Sequence, residues 1–186
     1  MLFVVAGGNF LVDGLPAGGD PDPGLLGLIV LTPNGANLGV VGTNDLYERY
    51  ESYGGYPEHD TVTVHKLGPN GTYGWVATLG YAHSGREYKW VQVYGVVGNS
   101  VKLLTAFVTY YSDERACPEE VRCSTLSTKY TFDMRSSANS FYPLALQVSG
   151  IEKGRPFRGN YRLVFDKTSL TYLTPKNMPD EIKPAP

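Results

Sequence analysis

Between Thr61 and Tyr111 the chain repeats one pattern four times: a run rich in Val, Thr, Tyr and Trp, followed by a break of turn residues. β-Branched and aromatic side chains suit a pleated, half-buried surface. The breaks Gly68-Pro69-Asn70-Gly71, Gly80 to Gly85 and Gly98-Asn99-Ser100 carry the residues that reverse a chain. Four strands laid down in succession form a meander, and the remaining segments must pack on it or close it.

The later runs show the same period of two, in which alternate residues face opposite sides. Leu126, Tyr130, Phe132 and Met134 share one side of their run, with Thr125, Ser127, Lys129, Thr131 and Asp133 on the other. Tyr142, Leu144, Leu146 and Val148 repeat the arrangement, as do Tyr161, Leu163 and Phe165. One dry and one wet face is the mark of antiparallel sheet. Pro143, which cannot donate to a ladder, places its strand at an edge or marks its start.

Before the meander, Leu2 to Val5, Phe10 to Val12, Leu25 to Leu31 and Leu38 to Val41 read as strands, with Asp13 to Gly24 a Gly/Pro loop between the second and third. Thr43-Asn44-Asp45 resembles a helix N-cap, and Leu46, Tyr47 and Tyr50 follow at helical spacing, which predicts one short helix over Asp45 to Ser52. Past Thr174, four prolines and scattered charges predict an extended or disordered tail over 175–186. The expected fold is all-β: an antiparallel sandwich or flattened barrel of about ten strands, occupying residues 1–174 as one domain.

Bulk composition narrows function mainly by exclusion. Formal net charge is −2 and no basic stripe occurs, which argues against a nucleic-acid binder. Charge is uneven: Asp13, Asp20, Asp22, Asp45 and Glu48 precede the first cation, Arg49, so that segment carries −5 and the remainder +3. No apolar run approaches the length of a membrane-spanning helix. Charged residues make up 18% of the chain, below the usual quarter, and 14 tyrosines help to wet the surface instead. Cys117 and Cys123 bracket Pro-Glu-Glu-Val-Arg in a polar loop. A disulfide between them would stabilise the fold by roughly 2–3 kcal/mol and would imply an oxidising compartment, periplasmic or secreted. Met1 to Ala6 is apolar but lacks a basic region before it, so it is either a first strand or what remains of a trimmed export signal.

No constellation for catalysis emerges. Glu58, His59 and Asp60 could touch one ion at a strand entry, but His65 stands six residues further on, roughly 20 Å along a strand, and cannot join them. His83 and Ser84 are adjacent in sequence, a poor placement for a base and its nucleophile, and no Gly-x-Ser-x-Gly elbow is present. Asp13, Asp20 and Asp22 match no calcium loop. No cofactor or metal is therefore expected. What does suggest binding is the row Tyr88, Trp90 and Tyr94 on one face of a strand whose other face bears Val91 and Val93. Either both faces are buried in a central strand, or the aromatic side is a platform extended by Tyr81 and Arg86 in the preceding loop, whose polar tip at His83 and Ser84 would contact a partner. The loop from Gly150 to Gly159 adds Arg155, Phe157 and Arg158 as anchors. The leading expectation is a non-catalytic, exported β-domain that binds another protein through loops and one sheet face, as an inhibitor, an immunity-type protein or a part of an envelope assembly. A carbohydrate-binding module using the aromatic row is the first alternative, and a hydrolase using His83 the second.

Overall fold

Sheet geometry follows the alternation closely. A computed structural model of the chain describes residues 2–8, 11–12, 15–16, 23–44, 48–53, 62–118, 122–136 and 139–183, excepting the side chains of 2–25, 48–53, Tyr81 and His83. In chain order the strands are β1 (Leu2–Gly8), β2 (Leu11–Val12), β3 (Leu15–Pro16), β4 (Pro23–Asn34), β5 (Asn37–Thr43), β6 (Glu48–Tyr53), β7 (Val62–Lys66), β8 (Tyr73–His83), β9 (Arg86–Val97), β10 (Ser100–Ser112), β11 (Thr125–Phe132), β12 (Leu144–Glu152), β13 (Arg155–Asp166) and β14 (Thr171–Leu173). Among the described residues the only helical element is a 3-10 turn, Asp180–Ile182. The four runs of the meander are β7 to β10, each paired antiparallel with the next.

Strand β10 is where the sheet divides. It pairs with β9 along nearly its whole length, with β11 only through Tyr110, Tyr111 and Ser112, and with β5 through one parallel pairing, Ser100 to Thr43. The path runs β1-β4-β5-β10-β11-β12-β13-β14 with two free ends, so the sheet is open and the flattened barrel is ruled out. Two hydrophobic cores result. One gathers Val76, Val91, Val93, Leu104 and Phe107 against Leu126, Leu144, Leu146, Leu163 and Phe165 of β11 to β13. The other gathers Trp75, Ala77, Leu79 and Tyr94 against Leu26, Leu28 and Val30 of β4. Neighbours along β8 and β9 thus enter different cores, because consecutive side chains leave a strand on opposite sides. These two strands are covered on both faces only over Gly74 to Ala77 of β8 and Val93 to Gly95 of β9, while Thr78, Gly80 and Ala82 are exposed. Register slips in β10 between Leu103 and Thr105, and again between Val108 and Tyr110, let residues of both parities reach the first core.

Three expectations of local structure are corrected. Gly150 to Gly159 is not a loop but a tight hairpin end, with β12 running to Glu152 and β13 starting at Arg155. The helix over Asp45 to Ser52 is absent: Glu48–Tyr53 is a strand paired with Pro23 to Leu26 of β4, and residues 45–47 lie outside the described set. Asn44, read as part of an N-cap, turns its side chain to β4 instead. Its Oδ1 accepts the Leu28 N–H at 2.7 Å and its Nδ2 donates to the Leu26 carbonyl at 2.7 Å. The amide fills the ladder where β5 has ended and β6 has not begun, so that buried main-chain groups of β4 stay satisfied. The segment after Thr174 does not trail away, since Met178 and Ile182 are buried in the first core. Its polar, proline-rich composition conceals two apolar anchors four residues apart. Residues 184–186 lie outside the described set.

Candidate functional site

Three hairpin ends meet at one end of the sheet. The β8–β9 turn is Ser84-Gly85 and the β12–β13 turn is Lys153-Gly154, with φ of 50° and 78° in the first and 49° and 72° in the second. Positive φ at both central residues gives the tight turn whose twist matches the flanking strands. The third element is the β10–β11 connection, residues 113–124, closed by the Cys117–Cys123 disulfide. A Cβ at Gly85 would come within 2.6 Å of the Ala116 nitrogen and the Arg115 carbonyl carbon, so the first turn rests directly on the backbone of this loop. From the other side the Gly154 N–H donates to the Cys123 carbonyl at 2.9 Å, and the Lys153 N–H to Ser124 Oγ at 2.9 Å. The stapled loop is the keystone between two hairpin tips.

Asp113 holds the neck of that loop. Its Oδ1 accepts the Ser124 N–H at 2.7 Å and its Oδ2 accepts the Tyr111 hydroxyl at 3.2 Å. Burial, then the nearby Asp113 charge and its hydrogen bond, push the Tyr111 phenol up to about 12, so this hydroxyl remains a donor throughout the physiological range. Thr125 donates to Glu114 Oε1 at 2.7 Å and closes the neck on its outer side. Asp113 also lies within 4.8 Å of both cysteine sulfurs. Those sulfurs are bonded to each other and both carboxylate oxygens are engaged, so this trio offers an ion nothing in the oxidised protein.

The end so formed carries Arg86, Arg115, Arg122, Lys153 and Arg155. None of the five is in an ion pair within 4.0 Å among the described residues. Arg122, Glu152, Lys153, Arg155 and Pro156 line a cleft of about 510 Å³. A second cleft, of about 490 Å³, opens at the far end of the meander among Pro69, Val97, Phe141, Phe165, Lys167 and Leu170.

Of the residues singled out from sequence, Arg86, Arg155, Cys117 and Cys123 come together here. The backbone of Tyr81 and His83 is on β8, opposite Tyr88 and Arg86 respectively, while their side chains lie outside the described set. The aromatic row divides. Tyr94 is 1% exposed inside the second core, Trp90 packs on both cores, and Tyr88 packs on the first with its ring 5.1 Å from that of Tyr111. Tyr94 is thereby lost to a sugar platform, while Tyr88 and Trp90 remain half-buried beside the cores. Phe157 turns inward to the rim of the first core, and Arg158 stands on the exposed face of β13 opposite Ser149, away from the tips. Of the acids and histidines weighed as ligands, Asp13, Asp20, Asp22, Glu58, His59 and Asp60 lie outside the described residues. His65 contacts Thr63 Oγ1 at 2.9 Å and the Phe132 ring at 6.3 Å, on the edge strand β7.

Arg115, Arg122 and Lys153 escaped the sequence reading. The one local signal for Lys153 is Gly154, which suits the second position of a tight turn; lysine at the first position departs from the usual Asn or Asp and hides the hairpin. Nothing local marks Arg115 or Arg122, whose placement depends on which turns the stapled loop touches. Among the described residues no helix is long and apolar enough to cross a membrane. Comparison with known proteins gives no matching family model, no matching curated protein and no matching solved structure, so the chain's own geometry carries the functional argument.

Proposed function

We propose that this chain is a non-catalytic β-domain that binds another protein through the end built from the β8–β9 turn, the stapled loop and the β12–β13 turn. The observation that carries the reading is their joint anchoring: two hairpin tips contact the backbone of one disulfide-closed loop. Binding residues are effective on loops that a rigid scaffold positions. A loop already fixed in place loses little conformational freedom when a partner docks, and that saving goes into affinity. The disulfide is compatible with an extracytoplasmic, oxidising compartment, which is where the proposed partner would be met. An inhibitor, an immunity-type protein or a subunit of an envelope assembly would each fit a surface of this kind.

The test is affinity capture from the source cell under oxidising conditions, comparing the unaltered protein with Arg86→Gln/Arg115→Gln at the tips and Asn160→Ala on the exposed face of β13. The reading expects one discrete protein partner, retained by Asn160→Ala and diminished by the tip variant. Equal capture by all three, or no protein captured, would overturn it.

A further inference from the structure

We infer that the cleft between the stapled loop and the β12–β13 turn receives the carboxylates of a short acidic segment of the partner, with Arg122 and Arg155 gripping one carboxylate and Lys153 a second. This rests on the docking end proposed above and names the chemistry it reads.

Three cations and one anion, Glu152, line a cleft of about 510 Å³, and none of the three cations has an ion-pair partner within 4.0 Å among the described residues. Like charges held around one hollow repel, and a bound anion relieves that repulsion. The backbone fixes them there. Lys153 adopts φ of 49°, the left-handed region that lysine enters at a cost Asn or Gly would largely avoid. Its N–H is tied to Ser124 Oγ, so this conformation is anchored by the loop. Arg122 precedes the stapled Cys123, and its stem lies where a Cβ on Gly154 would be, 2.8 to 3.0 Å from that position. Gly154 thus serves both the tight turn and the seating of Arg122. Arg155 precedes Pro156, which holds its backbone extended. A planar guanidinium on a fixed base suits a carboxylate through two parallel hydrogen bonds.

Glu152 decides what kind of anion fits. A carboxylate in the same hollow, with a net charge of −2 over the chain, disfavours a long polyanion such as nucleic acid. In a peptide, by contrast, acidic side chains alternate with main-chain N–H groups, and Glu152 can accept one of those.

The test uses a fluorescein-labelled, capped hexaglutamate peptide, read by anisotropy at low and physiological salt, with capped hexalysine and a heparin oligosaccharide as competing probes. Hexaglutamate should bind the full chain, and Arg122→Gln/Arg155→Gln should weaken it about tenfold or more, as loss of two charge-assisted contacts implies. Lys153→Asn keeps the turn and should also weaken binding, whereas Glu152→Gln should strengthen it. Affinity unchanged in the arginine variant, or heparin displacing the peptide and binding independently of Glu152, would overturn the inference. Capture of a partner that depends on Arg86 and Arg115 but ignores Arg122→Gln/Arg155→Gln would defeat the carboxylate cleft and leave the docking end standing.

Discussion

Replacing both cysteines, Cys117→Ala/Cys123→Ala, opens a ring whose ends are six residues apart in sequence. On the chain-entropy account, releasing so small a ring from the unfolded ensemble costs about 2.4 kcal/mol at 25 °C. That is a large share of the roughly 5–15 kcal/mol that holds a domain together, yet it leaves the fold intact. The structure adds a local consequence. The Ser124 N–H is held by Asp113, independently of the disulfide, whereas the Gly154 N–H is held by the carbonyl of Cys123 itself. Urea denaturation should show the midpoint falling without a change of slope, in keeping with a stability loss of that size. Amide hydrogen exchange in the folded variant should then speed up at Gly154 by more than the global loss explains, while Ser124 tracks the global value. An unchanged midpoint, or Gly154 exchange that merely follows the core of β9, would refute the claim that the staple organises the hairpin tip.

Three further outcomes follow from other parts of the molecule. Asn44→Ala strands the Leu28 N–H and the Leu26 carbonyl, both buried, and should cost about 2–6 kcal/mol by urea denaturation at about 1–3 kcal/mol for each orphaned group. Lys153→Asn should raise stability by up to about 1 kcal/mol by relieving the left-handed lysine, seen as a higher thermal midpoint. Stability should hold up to about pH 10 and fall as pH climbs from there to about 12, because unfolded tyrosines ionise near 10 while Tyr111 resists until about 12 and buried Tyr172 is raised as well. Denaturation midpoints across that interval check the sign, and Tyr111→Phe should flatten part of the slope.

Much of the architecture was legible in the sequence for a specific reason. Where one face of a strand is dry, alternation is forced, so β11, the first part of β12 and β13 from Asn160 onward could be read residue by residue, whereas the exposed, polar ends of β12 and β13 around Lys153-Gly154 read as a loop. The Val and Thr/Tyr-rich runs between turn residues likewise located β7 to β10. Legibility failed where a long-range partner overruled a local signal. Thr43-Asn44-Asp45 is chemically a cap, but the free groups that Asn44 satisfies belong to β4, eighteen and sixteen residues back. The Tyr88/Trp90/Tyr94 face could not be assigned to core or surface from one strand, because its fate depends on β4 and β5 lying over it. The convergence of the three tips was invisible for the same reason. It requires the sheet to divide at β10, where pairing with β11 is confined to three residues. Met178 and Ile182 were hidden by their neighbours, since composition averages over a segment while burial selects two side chains from it.

The most direct measurement of the central claim is photo-crosslinking in the source cell, with a photoreactive phenylalanine analogue placed at Arg115 on the stapled loop, at Asn160 on the outer face of β13, or at Lys167 beside the opposite cleft. The account predicts a single discrete protein adduct from position 115 and none from 160 or 167. Adducts from 160 or 167 with none from 115 would contradict it.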